Sequence, residues 1–298
     1  MKHLLSIEKL AEPDMNAILA EAVTLKKERG RHTRLPLAGQ TWAMVFTKSS
    51  TRTRLSFEVG IRELGGQVIF LPSNEIHLGR GEPIKDTARV MGRMVHGAVF
   101  RTFAQNDVEE FAQYAGIPTI NALTDHEHPC QILADIFTYQ EKRGAIRGKT
   151  VAFIGDGAGN MATSYVFAAG KAGFELRIAA PKAFQPAAGL IKRAGGGIVL
   201  TDDVRAAAAG ADLLYTDVWV SMGREKESVE RNQQMGGYQL NAEVVRLAKP
   251  GALVMHCLPA YRGKEIDEET FEANAQTIFD QAENRLHVQK AILSWLVS

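Results

Sequence analysis

Apolar and polar positions come in short blocks along this chain, and their spacing changes from block to block. Met15, Ile18, Leu19 and Ala22 share one face of a helical repeat over residues 13–30, with Lys26, Lys27 and Arg29 toward its end. Residues 41–46 (TWAMVF) are nearly all apolar, as a strand buried on both faces is. A helical pattern follows at Leu55, Phe57, Val59 and 61–64 and stops at Gly65-Gly66. Residues 68–71 read as a second strand and 83–94 as a helix opened by Pro83. Between them, residues 75–83 form a polar loop with two glycines, exposed enough to reach a ligand. A strand at 97–100 delivers Arg101, and a helix at 107–114 and a strand at 118–121 follow. His128, Pro129, Cys130 and Gln131 then open a long helix to Arg143.

The second half repeats the alternation. Strands are predicted at 151–154, 176–179, 198–200, 213–217, 252–256 and 277–280. Helices are predicted from the glycine-rich loop 155–160 to Gly170, then at 186–193, 204–209, 242–247 and 281–297. The polar segment between Asp217 and Tyr238 holds three glycines and reads in part as a mobile lid, because a long loop of that kind is usually functional. Strand–helix alternation through short loops predicts parallel sheets covered on both faces. The domain boundary falls in or just after the 128–143 helix.

At 298 residues the chain has room for two domains of ordinary size. A net charge of +1 argues against a broad nucleic-acid footprint, so any positive field must be local. The two cysteines, Cys130 and Cys257, stand outside any CxxC or zinc-type spacing and read as reduced thiols of a cytosolic protein. No apolar run approaches the length of about eighteen residues that spans a membrane. The run after Met1 is too short for a signal peptide. The expectation is a cytoplasmic protein that engages neither nucleic acid nor membrane.

In open parallel α/β sheets, ligands sit beyond the carboxyl ends of the strands. Ser50 to Arg54, Arg101, Asn160, Asp217 and the run His256-Cys257-Leu258 all fall at such ends. The stretch 46–58 is the densest in hydroxyls, with two arginines between a strand and a helix. Unpaired N–H groups of a first helical turn favour an anion there. Ser50 and Thr51 can cap the turn or bond that anion, and Arg52 can clamp it with a planar fork. By contrast, Gly155-x-Gly157-x-Gly159 is a poor dinucleotide fingerprint. Its third glycine sits one place early, and the next strand ends at Ala179-Ala180-Pro181 without the ribose-binding acid. There is no Walker motif.

Four motifs then stand together: Ser50-Thr51-Arg52-Thr53, His128-Pro129-Cys130-Gln131, Asp217-x-x-x-Ser221-Met222-Gly223 and His256-Cys257-Leu258-Pro259. In that order, with residues 86–90 and 283–287, the chain resembles the transcarbamylase family over nearly its whole length. The last two motifs resemble its ornithine carbamoyltransferase branch. One departure is Gly159-Asn160, where the family commonly has two adjacent asparagines; Asn160 matches the second.

The resemblance implies an α/β fold of two doubly wound parallel-sheet domains of similar size joined by long helices. Residues 1–140 would bind carbamoyl phosphate, with the helix 281–298 packing back on them, and 141–280 would bind ornithine. It implies carbamoyl transfer from carbamoyl phosphate to the δ-amine of L-ornithine, in arginine biosynthesis. Ser50, Thr51, Arg52, Thr53 and Arg101 would hold the phosphate, and Thr53, Arg101 and His128 the carbonyl oxygen. Gln131 and the carbonyls of Cys257 and Leu258 would accept from the carbamoyl NH₂, and Arg285 would close the pocket beside Leu258. Asn160 would take the α-carboxylate of ornithine, and Asp217, Ser221 and Met222 its α-amino end. A homotrimer with shared active sites, or a higher assembly of such trimers, is implied, His77 reaching a neighbouring subunit's carbamoyl phosphate. No metal or organic cofactor is implied. The competing readings are a nicotinamide-dependent dehydrogenase, a silent anion-binding protein, and transfer to another amine such as putrescine or a modified ornithine.

Overall fold

The computed structural model describes residues 1–72, 75–76, 81–221, 223 and 227–298. The chain divides into two compact units, Met1–Phe137 with Glu283–Ser298, and Thr138–Ala282.

In the first unit the elements are α1 (Glu12–Lys27), β1 (Thr41–Phe46), α2 (Thr51–Glu63), β2 (Gln67–Pro72), α3 (Ile84–Met91), β3 (Gly97–Arg101), α4 (Gln105–Ala115) and β4 (Thr119–Leu123). The long helix α5 (Pro129–Arg143) begins in this unit and crosses its boundary. The four strands pair in parallel in the order β2-β1-β3-β4. β1 and β3 lie inside the sheet, and their apolar runs are buried, as both-face coverage requires. Val45 and Phe100 pack with Phe111 of α4 and Met91 of α3. β2 lies at the edge, where Gln67 and Ile69 are exposed.

The second unit contains β5 (Thr150–Ile154), α6 (Asn160–Ala172), β6 (Glu175–Ala179), α7 (Ala188–Ala194), β7 (Ile198–Thr201), α8 (Val204–Ala208), β8 (Leu213–Thr216), α9 (Ser228–Met235), α10 (Ala242–Val245), β9 (Leu253–His256) and α11 (Glu268–Ala273). Its five strands are also parallel, in the order β7-β6-β5-β8-β9. The last helix, α12 (Ala275–Leu296), carries the other unit boundary. Both sheets therefore reverse winding direction once, between β1 and β3 in the first and between β5 and β8 in the second. That point is where a doubly wound sheet opens a crevice for a ligand.

Two expectations change. Residues 277–280 are not a strand but the first turns of α12. Ile278 is buried while Phe279 is exposed, and Gln276 donates to Asp280 one turn on. An apolar pair in a short run fits either periodicity, and no turn residue separates it from the helix that follows. Part of the segment expected as a lid is helix α9, with Trp219 and Arg231 buried. His77 and Met222 lie outside the described residues.

Candidate active site

In the first unit, β1 and β3 are in register with Phe46 beside Arg101. The chain leaving β1 is thus held against the end of β3, and the Thr47 N–H donates to the Arg101 carbonyl over 2.9 Å. Ser50 caps α2: its hydroxyl oxygen accepts from the Thr53 N–H over 3.2 Å. So Ser50 performs the ordinary capping role, and Thr51 and Arg52 begin the turn above it. Thr53 is buried, and two guanidinium groups converge on its hydroxyl oxygen. Arg101 Nη1 lies 3.4 Å away and Arg285 Nη2 3.0 Å away. Arg285 Nη1 also donates to Gln131 Oε1 over 2.6 Å, and Gln131 Nε2 donates to Asp135 over 2.8 Å. His128, just before α5, is buried with them. Burial, then the charges of Arg285 and Arg101, hold its pKa well below the ordinary imidazole value of 6.5. His128 is therefore a neutral hydrogen-bonding group that feels the charge of two cations. Cys130 beside it is buried and pushed up to about 12, so its thiol is inert.

Two side chains here were not legible from the motifs. Asp135, one turn after Gln131, is buried and fixes which end of the Gln131 amide faces Arg285. Lys48 is buried at the end of β1, paired with Asp125 after β4 and lying 4.2 Å from the centre of the Phe103 ring after β3. It ties together three loops that leave the same end of the sheet. A lysine between an apolar strand and a serine-capped helix start was the available signal.

In the second unit, the register pairs Ile154 with Thr216, and Thr216 with His256. Gly155, Asp217 and Cys257 consequently leave adjacent strand ends. Gly155 has φ +134°, a conformation that side chains rarely adopt. A Cβ on Gly157 would stand 2.9 Å from the Phe184 carbonyl oxygen. These glycines serve a tight turn, after which α6 starts at Asn160 with Gly159 as its N-cap. Asp156 braces the turn, its Oδ1 accepting from the Ala158 N–H over 3.1 Å. Its Oδ2 accepts from Arg231 over 2.7 Å, and Arg231 also donates to the Trp219 carbonyl over 3.2 Å and to Glu227 over 2.8 Å. Arg231 is buried and stacks over Phe184. It therefore joins the turn that carries Asn160 to the segment that carries Asp217 and Ser221, a link no motif announced.

Asp217 Oδ1 accepts from the Val218 N–H over 2.7 Å and from the Cys257 thiol over 2.9 Å. Burial pushes the Asp217 carboxyl above its ordinary value, against the pull of these donors. Ser221, Asn160, Cys257 and Leu258 are each partly exposed. Asp217, His256 and Cys257 bring possible metal ligands within 4.8 Å of one another. Both ring nitrogens of His256 are already hydrogen-bonded, to the Leu258 N–H and to Glu265.

Residues 2–141 match the family described as "Aspartate/ornithine carbamoyltransferase, carbamoyl-P binding domain", and residues 147–296 match its "Asp/Orn binding domain". The chain belongs to the aspartate/ornithine carbamoyltransferase family. It is 53% identical to an ornithine carbamoyltransferase of Akkermansia muciniphila, over 99% of this chain and 98% of that one. It is 50% identical to one of Methylococcus capsulatus, over 100% and 99%. Among solved structures it is similar to an ornithine carbamoyltransferase from Pyrococcus furiosus, with TM-score 0.93, 41% identity and coverage of 99% and 97%. It is also similar to an anabolic ornithine carbamoyltransferase from Campylobacter jejuni, with TM-score 0.94, 41% identity and coverage of 99% of each chain. The α/β architecture of this family, with parallel sheets in two domains flanked by helices, is the one described above. Among the described residues, no helix is long and apolar enough to cross a membrane.

Proposed function

We propose that the chain transfers the carbamoyl group of carbamoyl phosphate to the δ-amine of L-ornithine, forming L-citrulline and phosphate, as a cytoplasmic enzyme of arginine biosynthesis. The amine attacks the carbamoyl carbon, and negative charge grows on the carbonyl oxygen and on the leaving phosphate. Donors already aimed at that charge supply the largest catalytic contribution, roughly 3–4 kcal/mol for each oxyanion donor. The first unit is suited to this. Thr53 accepts from two guanidinium groups, which leaves its own proton to donate. Arg101 and neutral His128 join it on the carbonyl oxygen, and Ser50, Thr51 and Arg52 act with them on the phosphate. Gln131 accepts from the carbamoyl NH₂, as do the carbonyls of Cys257 and Leu258 in the second unit. Arg285 holds Thr53 and Gln131 in place.

In the second unit Asn160 takes the α-carboxylate of ornithine, and Asp217 with Ser221 and Met222 takes its α-ammonium. The observation that carries the choice of amine is Asp217 itself. A desolvated carboxylate at a strand end gains most from a free ammonium partner. A modified ornithine with a blocked α-amine would leave it unpaired, and putrescine would leave Asn160 without its carboxylate. A citrulline-type assay with carbamoyl phosphate and ornithine, putrescine, N-acetylornithine and aspartate tests this. Turnover of another amine at a kcat/KM equal to that of ornithine would overturn it.

The working assembly is a homotrimer in which His77 of the partner subunit reaches carbamoyl phosphate. Mixing inactive His77→Ala chains with inactive Arg52→Ala chains should restore some activity. Mixed trimers that stay inactive would refute shared sites.

A further inference from the structure

Beneath the turn 256–261, His256 and Glu265 form a pair whose side chains are both 0% exposed. The turn above them contains Leu258 with φ +59°, in the left-handed region disfavoured for a branched L residue. Such a residue persists only where its surroundings hold it. Here the Leu258 N–H donates to His256 Nδ1 over 2.8 Å. A backbone N–H can only donate, so Nδ1 is the acceptor and the ring proton is on Nε2, which faces Glu265 Oε1 at 3.2 Å. The same Oε1 accepts from the Tyr261 N–H over 2.6 Å. The His256 N–H in turn donates to Gln281 Oε1 over 3.0 Å. One imidazole and one carboxylate thus brace the turn at both ends.

Stability is a poor explanation for this arrangement. Glu265 Oε2 is buried with no hydrogen-bond partner among the described residues. An incompletely satisfied buried carboxylate is unfavourable compared with an apolar pair of the same size. What the pair does provide is a fixed backbone direction at Cys257 and Leu258, which are themselves only partly buried.

We infer that His256, braced by Glu265, is a specificity-determining positioning residue that holds the Cys257 and Leu258 carbonyls as acceptors for an amide NH₂, so that the site takes a carbamoyl phosphate and rejects an acyl phosphate of the same shape. This rests on the proposed reading in which those carbonyls meet the carbamoyl group. Acetyl phosphate puts a methyl group where carbamoyl phosphate has NH₂. It fits the same volume but leaves the two acceptors unpaired, which is how a polar site discriminates strongly between isosteres.

The test is the ratio of the inhibition constant of acetyl phosphate to the KM of carbamoyl phosphate, with inorganic phosphate as a third ligand. It is measured in the intact protein and in His256→Asn, His256→Ala and Glu265→Gln, each checked for folding by circular dichroism. Asparagine can accept from the N–H two residues on, as in an Asx turn, and should keep most of the ratio. His256→Ala should contract it about tenfold while inhibition by phosphate stays constant. Glu265→Gln should fall between. A folded His256→Ala variant with an unchanged ratio would overturn the proposal, as would an equal loss for all three ligands. Should His256→Ala not fold, an unchanged ratio in Glu265→Gln overturns it instead. If the unaltered protein shows no preference for carbamoyl over acetyl phosphate, the failure lies in the underlying reading of the carbonyls.

Discussion

Cys257 donates its thiol hydrogen to Asp217 over 2.9 Å, although the two residues are 40 positions apart in the chain. They meet because Thr216 and His256 are paired in the parallel sheet and each is followed by one of them. The thiol is a weak donor, and burial still holds the Asp217 carboxyl above its ordinary range.

A carboxyl with a raised folded pKa binds more protons in the native than in the unfolded state, so its ionisation opposes folding. The penalty is absent below the ordinary value of 3.8, develops as pH rises through the folded value, and is constant above it. Asp217→Asn should therefore melt higher than the parent at neutral pH in the absence of ornithine, and the advantage should vanish in acid. The same variant should lose ornithine affinity far more than carbamoyl phosphate affinity. Thermal melts across pH, with steady-state kinetics in both substrates, check this. Equal losses for the two substrates would displace Asp217 from the ornithine end.

Arg231 is the cation of a buried pair, and its removal leaves Asp156 buried without that partner. Arg231→Ala should destabilise the second unit by about 3–5 kcal/mol, the usual range for breaking such a pair. Because Arg231 links the Asn160 turn to the Asp217 segment, ornithine KM should rise while carbamoyl phosphate KM stays near its starting value. Denaturant unfolding and a two-substrate kinetic matrix decide it. An unaltered ornithine KM in a folded variant would reduce Arg231 to a structural pair.

Arg52 lies in the first turn of α2, beside its capping residue Ser50. Lysine keeps the charge but loses the planar fork that bonds two phosphate oxygens at once. Arg52→Lys should lower kcat/KM on the order of 100-fold, comparable to losing one transition-state donor. Circular dichroism should be unchanged. Near-parental activity would remove Arg52 from the phosphate site.

His128 presents the opposite titration. Its folded pKa is lowered, so the native state binds fewer protons than the unfolded chain once pH falls below the ordinary 6.5. The stability linked to this residue is complete above that value and is lost as pH drops toward the folded one. His128→Gln cannot titrate, so its stability relative to the parent should improve steadily from pH 7 to pH 5. Carbamoyl phosphate affinity of the parent should show no step near pH 6.5 that this variant abolishes. Denaturant midpoints and affinity across that range are the measurements.

The order and type of most elements follow from the sequence alone, because runs such as TWAMVF, and the turn residues around them, are local signals. The strand-end placement of Ser50 to Arg54, Arg101, Asn160 and Asp217 is legible for the same reason, once the sheet is known to be parallel. By itself the sequence also determines that Gly155 to Gly159 is a turn without the acid a dinucleotide needs. The tertiary structure decides everything that depends on register and long-range packing. Arg285 reaches Thr53 across 232 residues, and Arg231 reaches Asp156 across 75. Neither pair leaves a periodic trace, because a contact between distant positions depends on how whole elements pack rather than on spacing along one of them. Lys48 and Glu265 belong to none of the sequence motifs, and the fold buries both. Residues 277–280 show the same limit in reverse. Their local pattern suits a strand, and only the continuous helix that closes the chain decides otherwise.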